Sequence, residues 1–128
     1  MWFIPVWAAE LPEIPQSPYV IALSPPSIGP KIAPESTLDG FCVSFVQQNG
    51  YGHLRGNAHE WVKYVNSEEP LIGSVVVLDE GKFGHLALVE DFDRNTIEII
   101  EQNYEGRWIV SRRIIKRDYP RMLGFVKP

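Results

Sequence analysis

The chain has 128 residues, enough to bury one hydrophobic core and too few for two. Its 45% hydrophobic and 12% aromatic content is that of a folded globular domain, and a net charge of -4 with only twelve scattered Lys and Arg argues against a nucleic-acid surface. No apolar run approaches the roughly 20 residues a membrane-spanning helix needs, and a single cysteine cannot form an internal disulfide.

Residues 1–35 carry Pro5, Pro12, Pro15, Pro18, Pro25, Pro26, Pro30 and Pro34 and few charges. Proline fixes φ and removes an amide donor, so this segment is expected to be an extended arm or linker and not a helix. Its apolar residues Trp2, Phe3, Trp7, Tyr19, Val20 and Ile21 favour an arm that packs on something, such as a protein partner. The longest apolar stretch, Trp2 to Ala9, is broken by Pro5 and lacks a basic flank, so it is not read as a signal peptide. The folded domain is expected over residues 36–128.

From Ser36 the pattern changes. Ser36 and Asp39 have capping-box spacing, and Thr37 or Asp39 can also cap the segment that follows. Cys42, Phe45 and Val46 recur at i, i+3 and i+4, a helical face that stops at Asn49-Gly50. Cys42 therefore falls in the first turn of a helix. Ala58, Trp61, Val62 and Val65 mark a second helix that starts after Asn57 and ends before Pro70.

Beyond Pro70 the period switches to two and the residues become β-branched. Strands are expected over 74–78, 84–90, 96–103, 107–115 and 122–126. Turn residues separate them at Asp79-Glu80-Gly81, Asp93-Arg94-Asn95 and Tyr104-Glu105-Gly106. Helices followed by an antiparallel sheet make an α+β domain.

A lone cysteine is more often a small buried hydrophobe than a nucleophile, so its neighbours decide. At a helix start the unpaired N–H groups stabilise a thiolate, which then needs a base. His53 in a polar loop and His59 on the second helix read as exposed. His85 opens an apolar strand, with Ala87 and Val89 on its own face and Leu86 and Leu88 on the other. On the next strand Glu101 and Asn103 follow Ile97 and Ile99 on one face, where a carboxylate is costly unless paired. If Phe92 pairs with Thr96 around a three-residue loop, with Asn95 left-handed, then His85 faces Asn103 and Ala87 faces Glu101. Pairing Glu101 with the His85 imidazole would satisfy both groups and orient the ring toward Cys42.

The ordered set Gly40-Phe41-Cys42, Gly56-Asn57-Ala58 with Trp61, Pro70 with Gly73-Ser74-Val75, Gly84-His85-Leu86, Glu101-Gln102-Asn103 and Gly124-Phe125 resembles the CHAP family of cysteine, histidine-dependent amidohydrolases and peptidases. The resemblance implies a papain-like fold, with N-terminal helices packed on an antiparallel sheet. It also implies hydrolysis of peptidoglycan or muropeptides, either at the N-acetylmuramoyl-L-alanine amide or at peptide bonds of stems and cross-bridges. In that reading Cys42 attacks, His85 moves the proton, Glu101 orients His85, and Asn103 supports the same network. Action in the cell envelope or outside the cell, with delivery by a phage as one route, follows from that substrate. No Asp-x-Asp loop precedes Cys42, so neither calcium nor any other cofactor is expected. The alternative is a non-catalytic module of the same fold, docking through the Pro-rich arm in a phage particle or cell envelope.

Overall fold

A computed structural model describes residues 20–23 and 35–128 of the chain. Of the arm residues singled out in the sequence, Trp2, Phe3, Trp7 and Tyr19 lie outside the described residues. Strand β1 (Val20–Leu23) is followed by helix α1 (Cys42–Val46), a π-helical turn (Gln47–Tyr51) and a 3-10 helix (Ala58–Tyr64). Five strands come next: β2 (Val75–Leu78), β3 (His85–Phe92), β4 (Thr96–Gln102), β5 (Val110–Lys116) and β6 (Met122–Val126). Together with β1 they form one six-stranded antiparallel sheet in the order β1-β5-β4-β3-β2-β6. The expected α+β architecture, with helices packed on an antiparallel sheet, is present. Part of the Pro-rich segment is β1, on the open edge of β5.

Alternation along the strands divides the core in two. Val75, Val77, Leu86, Leu88 and Ile100 pack with Cys42, Phe45, Val46 and Trp61 on the helical side. Val76, Leu78, Ala87, Val89, Ile97, Ile99 and Ile115 pack with Tyr119 and Phe125 on the other. Strand β2 is buried on both faces, which is why it reads as an unbroken Val-Val-Val-Leu run. Among the described residues no helix is long and apolar enough to cross a membrane.

Local structure departs from the sequence expectation at four places. The first helix is capped at Phe41, whose own side chain makes no capping bond. Asp39 acts two residues earlier, accepting from Phe41 N (3.1 Å) and from the Ser44 hydroxyl, and these bonds hold its carboxyl below the usual range, with Ser44 the largest cause. The second helix does begin after Asn57 but is 3-10, so residues three apart eclipse. Ala58, Trp61 and Tyr64 share a face, and Val62 is left exposed. Strand β5 begins at Val110, not Arg107, because Trp108 turns the chain with a φ of 69°.

The fourth departure is the β3-β4 turn. Phe92 pairs with Ile97, not Thr96, and Asp93 closes the turn by accepting from Asn95 N and Thr96 N, both at 2.8 Å. Asn95 is not left-handed. A bulge between Val89 and Asp91 then shifts the ladder by one, to Val89↔Ile99 and Leu88↔Ile100. Continued toward the strand ends, that register sets Ala87 opposite Glu101, as expected. The bulge cancels the error at the turn.

Candidate active site

Two adjacent residues at the end of β4 serve the two sides of the sheet. Gln102, fully buried, faces the helices: its Oε1 accepts from Thr37 N (2.9 Å), and its Nε2 donates to Thr37 Oγ1 and Phe41 O (both 2.8 Å). The start of α1, and with it Cys42, is thereby tied to β4. Residues 103–109 close on the same segment. Trp108 N and Nε1 donate to Gly40 O (3.2 Å) and Leu38 O (3.0 Å), and Arg107 Nε donates to Asp39 O (2.7 Å). Gly40 has a φ of 74°, and a Cβ there would lie 2.7 Å from Trp108 Cγ. Only glycine allows this approach.

Glu101 faces the other way. Its Oε1 lies 2.7 Å from His85 Nε2, with the carboxylate fully buried and the histidine 6% exposed. With Nε2 engaged, the nitrogen left for Cys42 is Nδ1. Cys42 and His85 line one cleft of about 710 Å³, together with Asn57, Glu80, Phe83, Asn103 and Tyr104 among others. Burial pushes the imidazole toward its neutral form, but hydrogen bonds and charge from Cys42 and Glu101 outweigh it and raise its pKa to about 10. The surroundings of the ring therefore favour its protonated form. Asn103 lines the cleft with a φ of 69°, and among the described residues no hydrogen bond joins it to His85. His53 and His59 are exposed, as expected.

The sequence reading missed Arg113. It is fully buried, and its Nε and Nη2 donate to Glu101 Oε2 (2.6 Å) and Oε1 (2.7 Å). Its Nη1 and Nη2 donate to Glu80 Oε2 (3.0 Å) and Oε1 (2.8 Å). The Tyr119 hydroxyl donates to Glu80, and the Tyr104 ring lies 3.5 Å from the guanidinium carbon. Burial alone would raise the Glu80 carboxyl, but Arg113 holds it below the usual range. One signal was available: Arg113 shares a strand face with Ile115, so alternation aims a lone cation into a buried layer that also holds Glu101.

The loop from Asp79 to Gly84 forms one wall of the cleft and is held from several sides. Asp79 N donates to Arg121 O (2.7 Å), and the Asp79 carboxylate meets His59 Nε2 (2.9 Å). His59 N donates to Phe83 O (2.9 Å). Gly84, with a φ of 79°, leaves no room for a Cβ beside His59 N, at 2.9 Å.

Glu80, His85 and Glu101 offer ligand atoms within 4.8 Å of one another, a spacing that suits a metal ion. The donor set does not fit one, because the Arg113 guanidinium already bridges the two carboxylates with four hydrogen bonds. A metal would have to displace a buried cation.

No curated protein matches the chain in sequence. Among solved structures it is similar to the crystal structure of Ly7917, with a TM-score of 0.55 and 18% identity. The likeness, in fold alone, covers 77% of this chain and 57% of that one, so the chain spans little more than half the length of that structure. The family model for the CHAP domain matches residues 34–103, from the approach to Cys42 through His85 and Glu101 to Asn103, and the chain belongs to the CHAP domain family.

Proposed function

We propose that the chain is a cysteine hydrolase of amide bonds in bacterial peptidoglycan, with Cys42 as nucleophile, His85 as proton carrier and Glu101 as its orienting carboxylate. The observation that carries this reading is the meeting, in one cleft, of the only cysteine in the chain with a buried imidazole held by a buried carboxylate. Family membership supports the hydrolase class and the substrate.

In this mechanism the protonated ring offers a hydrogen bond and positive charge to the Cys42 sulfur, which attacks the amide carbonyl carbon as a thiolate. The carbonyl π pair moves to oxygen. The Cys42 backbone N–H, first in α1 and without an intrahelical acceptor, supports that oxyanion. Collapse breaks the C–N bond as His85 gives its proton to the leaving amine, and a thioester remains. The now neutral ring takes a proton from water, hydroxide adds to the thioester, and the thiolate leaves with the imidazolium restored. Glu101 holds the tautomer and the ring plane throughout. Asn103, on the cleft wall, is assigned a supporting polar contact to the substrate or to the ring.

The test is mass spectrometry of muropeptides after peptidoglycan is incubated with the chain and with its Cys42→Ala variant. New amine and carboxyl ends formed only by the parent chain are expected, and their masses separate muramoyl-alanine cleavage from peptide cleavage. Binding to the wall with no new ends, from either protein, would overturn the reading in favour of a binding module.

A further inference from the structure

Glu101 alone does not fix the position of the His85 ring. Its Oε1 accepts from two donors, His85 Nε2 and Arg113 Nη2, both at 2.7 Å. Its Oε2 accepts from Arg113 Nε at 2.6 Å. An isolated carboxylate rotates freely about its last bond, whereas two parallel N–H donors from a planar fork lock its plane. The oxygen that holds His85 is therefore placed by Arg113. The guanidinium is fixed in turn by Glu80 on one side and by the Tyr104 ring.

We propose, resting on the Cys42–His85 reading above, that Arg113 is a positioning residue for the reaction: its buried guanidinium aims the Glu101 carboxylate at His85 and couples that pair to the cleft wall through Glu80.

The charges point the same way. The groups that meet here are Glu101 from β4, Glu80 from the β2-β3 loop, Arg113 from β5, His85 from β3, Cys42 from α1, the ring of Tyr104 and the hydroxyl of Tyr119. Two carboxylates, one guanidinium, the His85 imidazolium and the Cys42 thiolate of the proposed mechanism leave one net negative charge. Without Arg113 a second negative charge would face the ring, and the proton needed by the leaving amine would be held too tightly. Lysine keeps the charge but lacks the fork that grips two carboxylates at once. Arg112 is the internal control. It is the neighbouring residue, it is paired with the buried Glu90, and neither residue lines the cleft.

The experiment uses the full chain, its Arg113→Lys and Arg112→Met variants, and two readouts. One is kcat and KM for peptidoglycan cleavage. The other is the rate of Cys42 alkylation by iodoacetamide against pH, which reports the thiol and its imidazole without the wall substrate. Arg113→Lys should lower kcat by on the order of 10²-fold, as expected when a reacting group is misplaced, with little change in KM and a displaced alkylation profile. The folded Arg112→Met chain should keep parental values for both readouts while its urea midpoint falls, because Glu90 is left unpaired. A folded Arg113→Lys chain with parental kcat and alkylation profile overturns the proposal. Should Arg113→Lys fail to fold, Glu80→Gln loosens the guanidinium from the part-exposed side. It should slow both cleavage and alkylation, and parental values for both would overturn the proposal. If Cys42→Ala still cleaves, the mechanism itself fails. If Cys42→Ala is inactive while Arg113→Lys or Glu80→Gln behaves as the parent, only the role of Arg113 falls.

Discussion

Arg112 and Arg113 are consecutive residues of β5, and the pleat sends them to opposite faces of the sheet. Each meets a fully buried carboxylate: Arg112 Nε lies 2.5 Å from Glu90, and Arg113 Nε lies 2.6 Å from Glu101. Stability does not distinguish them, since breaking either pair leaves an uncompensated buried charge at a cost of about 3–5 kcal/mol. The difference lies one contact further out. Glu90 is satisfied at a strand bulge, whereas Glu101 shares its oxygen with His85 and so reaches the cleft. A buried ion pair is informative about function through what its members touch next.

That contrast is open to measurement. The floor is set by Cys42→Ala, which should remove hydrolysis altogether, a fall on the order of 10⁶-fold by analogy with the loss of other nucleophiles. Its circular dichroism and melting curve should stay close to the parent. Retained cleavage would remove the site from the comparison. Next in size, Glu101→Gln should lower turnover by up to the order of 10⁴-fold. Glu90→Gln should leave turnover alone while shifting the urea midpoint downward. Equal losses of turnover in the two variants would erase the distinction between the faces.

The pH dependence of stability separates the faces more finely. His85 binds its proton more tightly folded than unfolded, with a pKa of about 10 against an ordinary 6.5. Its stabilising contribution is therefore complete below 6.5 and is lost as pH rises to about 10. Urea unfolding across that window should show stability falling in the parent and in Glu90→Gln. In Glu101→Gln the slope should be shallower, because one of the groups that raise the histidine is gone. An identical slope in all three would detach His85 from Glu101.

Smaller effects are expected at the sheet edge and in the solvent. Removal of residues 1–34 should leave a soluble, active domain that melts somewhat lower, since β1 pairs with β5 in the register Leu23↔Arg113. Aggregation of the truncated chain would put the arm inside the folded unit. Chelation with EDTA should leave activity untouched, because Arg113 fills the space between Glu80 and Glu101. Loss of activity restored by calcium would show that a metal, not a guanidinium, works there.

Strands β2 to β6, both helices and the faces of His85 and Glu101 were legible because hydrophobic period and turn residues report burial directly, whereas β1 lay hidden in the Pro-rich segment. The register at the site was legible only through two offsetting departures, since nothing in Val89-Glu90-Asp91 announces a bulge. Capping was misplaced by a residue or two because Asp39, Thr37 and Ser36 all carry suitable oxygens, and their ranking depends on Gln102 and Trp108, which arrive from 65 and more residues away. Arg113 was hidden by its neighbours, as Ser-Arg-Arg in a strand reads as solvent-facing. Its role emerges only once β4 and β5 are paired.

The Asp79–Gly84 wall has one further consequence. Its backbone is bonded to Arg121 and His59 and its Glu80 carboxylate to Arg113, so its conformational freedom is surrendered during folding. Ordering a loose loop of that length at the moment of capture would cost on the order of 10 kcal/mol in lost entropy. Here that cost falls on the folding equilibrium. This wall therefore need not order itself when a ligand arrives, and within it the Asp79 amide, bonded to Arg121 O, should exchange with solvent more slowly than the exposed amides of residues 81–83.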